Sequence, residues 1–284
     1  MRVLVTGAGG MVGRAVAEHC RKIGDDTFAF DHTELEISNS ETVRTAFARA
    51  RPEVVINCAA WTDVDGCEGD AQRAYETNAF GPEVLGAHCR QIGASFVSIS
   101  TDYVFDGGKE GFYDQRDDPN PISIYGAAKL DGERRAQAAC ARTMIIRTGF
   151  IFGAGGRNFL STVIERCRTG AQLSAIGDSY GTPTYAPDLA RRLRELAELD
   201  LPGIYHVVND GPGASYQEFA VAALALAGCD SSSVTAISAA DLTRPAPRPV
   251  NSRLRCLLTP ALGLKSLPFW QDALRNFAAE LQLT

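Results

Sequence analysis

Residues 2–13 read RVLVTGAGGMVG, an apolar strand followed by a glycine-rich turn and the start of a helix. Gly7, Gly10 and Gly13 would permit a tight turn, the approach of the backbone to a pyrophosphate, and close packing of the helix on the strand. Unpaired N–H groups at the start of such a helix favour a phosphate. Because the glycines stand between a strand and a helix, this segment predicts a dinucleotide-binding turn rather than an ordinary connection.

The first half of the chain continues this alternation of strand and helix. The predicted strands cover residues 3–5, 28–30, 54–56, 96–99 and 144–146. The predicted helices cover residues 11–23, 42–50, 71–92 and 123–141. Strands separated by helices imply parallel pairing with right-handed crossovers, and nearly continuous apolar strands fit a sheet covered on both faces. We therefore expect an α/β protein with a Rossmann-type doubly wound parallel sheet.

The pattern changes after about residue 150, where two loops, residues 153–157 and 178–183, are rich in glycine or turn residues. The remaining elements are helices predicted over 187–199, 216–227 and 268–282, a strand at 204–208, and a proline-rich extended segment at 243–249. We expect a smaller, discontinuous C-terminal substrate lobe. The dinucleotide-binding domain would comprise residues 1–151 and about 184–210, and the lobe about 152–183 and 211–284.

Composition excludes several classes of protein. The chain has 284 residues, and its 34 acidic against 28 basic side chains do not make the basic face that a general nucleic-acid binder needs. The longest apolar stretch, residues 219–228, is far too short to span a membrane. The opening MRVLVTG has the pattern of a strand, so we expect no signal peptide.

The cysteines and histidines add two expectations. Eight cysteines without a C-x-x-C pair, in a chain of this length, indicate reduced and mostly buried thiols, and hence a cytoplasmic protein. The four histidines form no H-x-x-x-H pair, so nothing in the sequence supports a metal site.

Tyr125 and Lys129 are four residues apart, which places both side chains on one face of the predicted helix. A nearby ammonium stabilises phenolate over phenol, and so lowers the pKa of a tyrosine towards the range of acid–base catalysis. This common spacing gains weight from the hydroxyl-rich residues 98–102 (SISTD), which end the fourth strand, where open α/β sheets place ligands. Asp31 ends the second strand, 18 residues after Gly13, and could accept hydrogen bonds from an adenosine ribose.

Together these features resemble the extended short-chain dehydrogenase/reductase superfamily. Longer stretches narrow the resemblance to the dTDP-4-dehydrorhamnose reductase family: TDVD at 62–65, STDYVFDG at 100–107, NF at 158–159, DSYGTPT at 178–184 and RPVNSRL at 248–254. STDYVFDG and RPVNSRL are quite specific, and the resemblance runs through nearly the whole chain.

The resemblance implies NAD(P)H-dependent reduction of the C4 keto group of dTDP-4-dehydro-L-rhamnose to dTDP-L-rhamnose, with NADPH or NADH as cofactor. Thr101 would polarise the carbonyl, Tyr125 would supply the proton, and Lys129 would lower the pKa of that tyrosine and hold the nicotinamide ribose. The implied cofactor-binding residues are Gly7, Gly10, Met11, Val12, Asp31, Glu36, Ile37, Ala59, Ala60, Thr62, Tyr125 and Lys129. The implied substrate-binding residues, for a dTDP-4-keto-6-deoxy-L-hexose, are Thr101, Asp102, Phe150, Asn158 and Arg253.

Two positions depart from the family's usual pattern. The family usually has Asp where Glu36 stands, and the longer side chain could loosen contacts with adenosine. It usually has Trp where Phe150 stands, in the stretch RTGF at 147–150, and phenylalanine keeps an apolar ring but lacks the indole N–H.

Four arginines form a local positive patch in this acidic chain. Arginine suits bidentate recognition of phosphate oxygens, so with Asn158 the patch could clamp a nucleotide diphosphate in the lobe. The patch consists of Arg244, Arg248, Arg253 and Arg255.

Two other functions fit the same motifs. A related dTDP-4-keto-deoxysugar reductase or epimerase would keep all of them, and Phe150 favours it. A non-catalytic regulatory subunit resembling the beta subunit of methionine adenosyltransferase would share the fold, although the intact Tyr125 and Lys129 favour an enzyme. We expect a monomer or weak homodimer; the physiological sugar, the preference between NADH and NADPH, and an interface Mg²⁺ stay open.

Overall fold

The chain forms a central sheet and three short strand pairs, and the computed structural model describes residues 1–156, 158–169 and 172–281. The strands in chain order are β1 (Arg2–Thr6), β2 (Asp26–Phe30), β3 (Val54–Asn57), β4 (Ser95–Thr101), β5 (Thr143–Thr148), β6 (Ile151–Phe152), β7 (Leu173–Ile176), β8 (Tyr180–Gly181), β9 (Thr184–Tyr185), β10 (Gly203–His206), β11 (Ala214–Ser215) and β12 (Val234–Ile237). Six of them pair in parallel in the order β10-β5-β4-β3-β1-β2. This confirms the Rossmann-type parallel sheet predicted from the sequence.

Helices cover both faces of the central sheet. In chain order they are α1 (Met11–Lys22), α2 (Ser40–Ala50), α3 (Val64–Gly69), α4 (Ala71–Tyr75), α5 (Gly81–Ile92), α6 (Ile124–Ala139), α7 (Phe159–Arg168), α8 (Ala186–Leu199), α9 (Tyr216–Leu226), α10 (Leu258–Ala261) and α11 (Trp270–Glu280). No helix within the described ranges is long and apolar enough to cross a membrane.

The alternation of side chains along each strand divides the core into two layers. Val3 and Val5 of β1 pack with buried residues of α1 and α8 on one face. Leu4, between them, packs with buried residues of α2, α5 and α6 on the other face. Both faces of the sheet are therefore apolar, which explains the nearly continuous hydrophobic strands in the sequence.

The helix predicted over 71–92 is divided by a π-helical turn, Glu76–Phe80, between α4 and α5. Pro82 has no N–H to donate to the carbonyl of Asn78, and the backbone N–H of Gly81 instead bonds five residues back to Glu76. The freed Asn78 carbonyl lies against α6, where a Cβ on Gly132 would stand only 2.1 Å from its oxygen. The π-helical turn therefore packs this closely against α6 because residue 132 has no side chain.

The second half of the chain forms a lobe with its own aromatic core. Phe219 of α9 packs against Phe152 at a ring separation of 5.2 Å and against Trp270 of α11 at 5.7 Å. Three short pairs brace the lobe: β6 with β9 and β7 with β12 in parallel, and β8 with β11 antiparallel.

Several lobe elements differ from the sequence prediction. Helix α7 lies where no helix was predicted, although Leu160, Val163 and Ile164 are buried at helical spacing. The predicted loop at 153–157 and the predicted helix at 268–282 both end outside the described residues, at Arg157 and Gln282.

Residues 258–267 pack on a different domain from the one expected from the sequence. Residues 211–284 are proposed to belong to the lobe, yet Leu258, Leu262 and Leu264 pack with buried Leu267 against the core beneath α1 and α8. Their apolar side chains cover the sheet rather than the aromatic core of the lobe. The chain therefore returns to the first domain before α11 packs in the lobe.

Gly132→Ala should lower the free energy of unfolding by about 1–3 kcal/mol, because an inserted Cβ meets the fixed carbonyl of Asn78. Gly69→Ala is the matched control, since no heavy atom lies within 4 Å of the added methyl group. Urea unfolding followed by circular dichroism measures both. Equal stabilities for the two variants would show that α6 can move away from the π-helical turn at no cost.

Candidate active site

A cleft of about 330 Å³ opens at the carboxyl ends of β3, β4 and β5, beneath the lobe. Ligands of open α/β sheets bind at this edge. The cleft brings together nine of the residues that the resemblance marks as functional: Val12, Ala59, Ala60, Thr62, Thr101, Asp102, Tyr125, Lys129 and Phe150.

The glycine-rich turn has the geometry that the sequence predicts. Gly7 has a φ of +65°, and a Cβ there would stand 2.7 Å from the backbone nitrogen of Ala59. A Cβ on Gly13 would stand 2.2 Å from the carbonyl oxygen of Gly7. Gly10 is the N-cap residue of α1, with no side chain over the first turn of the helix. The absent side chains leave a cradle lined by backbone at the start of α1.

Asp31 lies beside this turn. A Cβ on Gly9 would come within 3.3 Å of the Asp31 Cβ. The hydroxyl of Thr33 donates to Asp31 Oδ1 at 2.6 Å, its backbone N–H donates at 2.8 Å, and these bonds hold the pKa of Asp31 below its ordinary value. The carboxylate is therefore ionised at neutral pH next to the cradle.

Buried amides hold the segment that carries Ala59, Ala60 and Thr62. Asn57 accepts a hydrogen bond from Thr6 at 2.6 Å and donates to Ser98 at 3.2 Å, which ties β1, β3 and β4 together. Asn78, in the π-helical turn, accepts from the Trp61 N–H and donates to its carbonyl, both at 3.0 Å. The segment after β3 is thereby held at the floor of the cleft.

Six residues expected to bind the cofactor do not line this cleft: Gly7, Gly10 and Asp31, described above, and Met11, Glu36 and Ile37. Ile37 is buried, and its side chain contacts Gly81 at the start of α5. Glu36 is exposed and accepts a hydrogen bond from the Ser38 hydroxyl at 3.1 Å. Met11 packs beside Gly156. Their roles toward a cofactor stay predictions.

Thr101, Tyr125 and Lys129 form the centre of the cleft, and all three are buried. Helix α6 begins after Ser123, whose hydroxyl accepts the Gly126 N–H at 3.2 Å and so sets Tyr125 in the first turn. The Thr101 hydroxyl is hydrogen-bonded to the Tyr125 phenol. The ammonium of Lys129 donates to the carbonyl of Ile99 at 2.7 Å.

The structure does not support the expectation that Lys129 lowers the pKa of Tyr125. Burial raises the pKa of Tyr125 well above its ordinary value; the hydrogen bond to Thr101 lowers it in part, and the charge of Asp102 raises it further. Lys129 is not among the groups that act on this phenol in the described part of the chain. Its Nζ is bonded to the end of β4, and its own pKa is lowered to about 8 by burial.

Asp102 is a buried carboxyl in the wall of the cleft. Burial raises its pKa to about 6, against hydrogen bonds with the Ser252 and Thr101 hydroxyls. A Cβ on Gly149 would stand 2.3 Å from the Asp102 Cγ, so only glycine leaves room for the carboxyl. The cleft thus contains a group that exchanges a proton close to neutral pH.

The lobe side of the cleft is aromatic. Phe150 has a left-handed backbone, with a φ of +51°, and its ring meets that of Tyr216 edge-on at 4.4 Å. Tyr180 lines the same wall, and Thr148 nearby has a buried hydroxyl without a hydrogen-bond partner among the described residues.

Four residues that line the cleft have no functional signal in the sequence: Ser252, Tyr216, Tyr180 and Thr148. The capping box formed by Ser215 and Glu218 gives the start of α9, but no local pattern shows that Tyr216 faces the cleft.

Asn158 and Arg253 do not line the cleft. Asn158 caps α7, accepting the Ser161 N–H at 3.1 Å and donating to the Gly153 carbonyl at 2.8 Å. Arg253 donates to Asn251 at 2.8 Å, and its guanidinium lies 5.3 Å from the centre of the Tyr180 ring. Roles for these two residues in substrate binding remain predictions.

The arginine patch is not a set of free side chains. Arg248 forms a bidentate pair with Asp65 of α3, at 2.7 and 2.8 Å, and this pairing lowers the pKa of Asp65 to about 2. The pair ties the proline-rich segment of the lobe to the first domain.

A buried threonine at a strand end of a Rossmann-type sheet, with a tyrosine and a lysine on the adjacent helix beneath a separate lobe, is the arrangement of an extended short-chain dehydrogenase/reductase. Comparison with known proteins identifies the family within this superfamily. The profile of the family described as "RmlD substrate binding domain" matches residues 1–283. This chain belongs to that family, the dTDP-4-dehydrorhamnose reductases.

Individual relatives cover nearly the whole chain. The dTDP-4-dehydrorhamnose reductase of Streptomyces griseus is 37% identical over 96% of this chain and 91% of its own. A probable dTDP-4,6-dihydroxy-2-methyloxan-3-one 4-ketoreductase of Streptomyces antibioticus is 36% identical over 97% of this chain and 94% of its own. The crystal structure of dTDP-4-dehydrorhamnose reductase from Bacillus anthracis, in complex with NADP, has a TM-score of 0.95 and 34% identity, with 98% and 99% of the two chains covered.

The buried carboxyl of Asp102 predicts a pH-dependent stability. A carboxyl whose pKa rises on folding, here from 3.8 to about 6, favours the folded state only while it is protonated, so its ionisation destabilises the protein as pH rises through that range. Asp102→Asn should therefore increase the free energy of unfolding at pH 7 by up to about 3 kcal/mol and change it little at pH 4.

Urea unfolding at pH 4, 5, 6 and 7 measures this difference, with Asp118→Asn on the exposed surface as the control. A constant difference between the wild type and Asp102→Asn across this range would contradict the raised pKa.

Proposed function

We propose that the protein reduces the C4 keto group of dTDP-4-dehydro-L-rhamnose to dTDP-L-rhamnose, with NADPH or NADH as the reductant. The observation that carries the proposal is the meeting of Thr101, Tyr125 and Lys129 in one buried cleft at the strand ends. Family membership, and the names of relatives that match nearly full length, support the substrate.

The glycine cradle fits a dinucleotide. Gly7 and Gly13 let the turn close tightly, because a Cβ on either would collide with backbone, and Gly10 leaves the start of α1 open to a pyrophosphate. Asp31 stands beside the turn where a ribose hydroxyl would lie. Tyr125 and Lys129 would bind at the nicotinamide end, in the part of the cleft lined by Ala60. When bound, NADPH supplies the hydride.

Side chains of the protein would stabilise the charge that develops on the ketone oxygen and supply its proton. Reduction of a ketone places negative charge on its oxygen, which must receive a proton or aligned donors. Thr101 donates to that oxygen, and Tyr125 supplies the proton. A phenol with a raised pKa keeps its proton in the resting enzyme and gives it up only as the charge develops. Lys129, an ammonium below about pH 8, would hold the nicotinamide ribose.

A related 4-keto-deoxysugar reductase is the second candidate. Phe150 at the wall of the cleft favours it, because the ring offers apolar contact without an indole N–H. The Streptomyces antibioticus relative, at 36% identity, is such a ketoreductase by name. The Tyr125 and Lys129 pair in the cleft supports catalysis over a regulatory role. We also propose that the protein is a monomer or weak homodimer.

The test is turnover. The 4-keto sugar is generated in situ, and the loss of NAD(P)H absorbance is followed together with the sugar product. dTDP-L-rhamnose as the product supports the proposal; a different reduced sugar supports the second candidate. Cofactor binding without any turnover would exclude both reductases.

Asp31 predicts the cofactor preference. Its ionised carboxylate would bond a ribose 2′-hydroxyl and repel a 2′-phosphate. We expect both cofactors to serve, with NADH used appreciably, and Asp31→Ala to shift the ratio of kcat/KM towards NADPH. Initial rates with each cofactor at saturating sugar give the ratio. If the ratio does not change, Asp31 does not face the ribose.

Tyr125→Phe keeps the ring and its packing but removes the proton. It should lower kcat by about 10²- to 10⁴-fold, with cofactor binding nearly intact. Lys129→Met should cause similar loss and also weaken NAD(P)H binding, because the ammonium bonds the Ile99 carbonyl near Thr101 and would hold the nicotinamide ribose. Single-turnover rates and fluorescence titrations measure both effects. Near-wild-type turnover by a folded Tyr125→Phe protein would remove this residue from the mechanism.

A further inference from the structure

Glu133 lies one helical turn beyond Lys129 on α6, and its side chain is only 3% exposed. Its carboxylate accepts hydrogen bonds from two strands of the core. The Ser100 hydroxyl of β4 donates to Oε1 at 2.5 Å, and the Arg147 guanidinium of β5 donates to both oxygens, at 2.7 to 3.2 Å. A buried carboxylate with this many donors is held in one position.

Two consecutive residues at the end of β4 are thereby bonded to the same face of α6. The carbonyl of Ile99 accepts the Lys129 ammonium at 2.7 Å, and the hydroxyl of Ser100 bonds Glu133. The next residue is Thr101. Two side chains of α6, the helix that carries Tyr125, therefore fix the position of Thr101 relative to Tyr125.

Glu133 also acts on the charge of Lys129. Burial disfavours the ammonium, and the carboxylate of Glu133 opposes that effect. The other titratable group that faces Lys129 among the described residues is Cys58 at the end of β3, whose thiol is neutral because burial raises its pKa. From β4 the ammonium meets a carbonyl, and Arg147 of β5 lies beyond Glu133. Glu133 is thus the anion that compensates the charge of Lys129.

We propose that Glu133 is a positioning residue for the reductase: it holds the strand end that carries Thr101 and keeps Lys129 in its ammonium form. This inference rests on the proposed function. It assigns to Glu133 no contact with substrate or cofactor, since Ser100 and Arg147 occupy the carboxylate.

Two variants separate the role of the charge from that of the hydrogen bond. Glu133→Gln alone would leave Arg147 buried and unpaired, so it is combined with Arg147→Met, which removes both charges of the pair. The amide oxygen of the introduced glutamine can still accept the Ser100 hydroxyl. Ser100→Ala does the reverse, because it keeps every charge and removes only the bond to β4. The control is Asp25→Asn with Arg194→Met, another nearly buried ion pair, remote from the cleft.

The pH dependence of kcat is the decisive measurement for the charge. In the wild type, kcat should fall as pH rises through about 8, where Lys129 loses its proton. In Glu133→Gln/Arg147→Met that fall should move to lower pH by about 1 unit, the lower end of the effect of an opposite charge, because the loss of the Arg147 charge offsets part of the loss of the carboxylate. The dissociation constant of NADPH should rise over the same pH range. The control pair should keep the wild-type profile.

Ser100→Ala should lower kcat by about 3- to 10-fold, the worth of one hydrogen bond, with an unchanged pH profile and an unchanged KM for NADPH. If the double variant fails to fold, Ser100→Ala decides the part of the proposal that concerns the strand end, and the pH dependence of kcat in Glu133→Gln alone decides the part that concerns the charge.

An unmoved pH profile in a folded Glu133→Gln/Arg147→Met protein, or wild-type kcat in Ser100→Ala, would overturn the corresponding part. If the wild type has no reductase activity, the proposed function fails, whereas the pH dependence of NADPH binding still tests Glu133.

Discussion

The close approach of α6 to the ends of the central strands is the constraint on which the site depends. Two glycines permit it: a Cβ on Gly126 would stand 2.2 Å from the Tyr103 carbonyl oxygen, and one on Gly132 would stand 2.1 Å from that of Asn78. Packed interiors do not absorb such overlaps without a shift of backbone. With α6 at this distance, Tyr125 reaches Thr101 and Lys129 reaches the carbonyl of Ile99. A helix further out would carry the same residues without assembling the site.

This approach places charged groups where water cannot solvate them. Lys129, Glu133 and Arg147 are each at most 4% exposed. The free energy lost when such charges are removed from water exceeds the free energy gained from their mutual attraction. The cost is limited because each charge has hydrogen-bond partners with good geometry. The pKa of Asp102 rises because burial exceeds the effect of its hydrogen bonds. The apolar layers on either face of the sheet supply the stability that tolerates these groups.

The parts of the protein that the sequence predicts are those with local signals. The glycine turn, the six strands of the sheet, and the pairing of Tyr125 with Lys129 follow from spacing within a few residues. The hydrogen bond between Asn78 and Trp61, 17 residues apart, and the contacts of Glu133 with Ser100 and Arg147 depend on how the elements pack. The cap and apolar spacing of α7 were readable in the sequence, whereas its Asn158 was assigned to a ligand. The neighbouring residues in the sequence do not show whether such an asparagine caps a helix or contacts a ligand.

The site divides its tasks between the two parts of the chain. Tyr125, Lys129 and Thr101 stand on the sheet and on α6, where packing fixes them. The lobe-side wall of the cleft comes from Phe150 and Tyr216, of which Phe150 adopts a left-handed backbone that is rare for a bulky residue. A Cβ on Gly181 would meet its ring at 3.0 Å, so the lobe accommodates the ring only where a side chain is absent. A change of sugar therefore calls for changes in this wall, while the sheet can keep the same chemistry. Relatives at 37% and 36% identity have names that give different sugars.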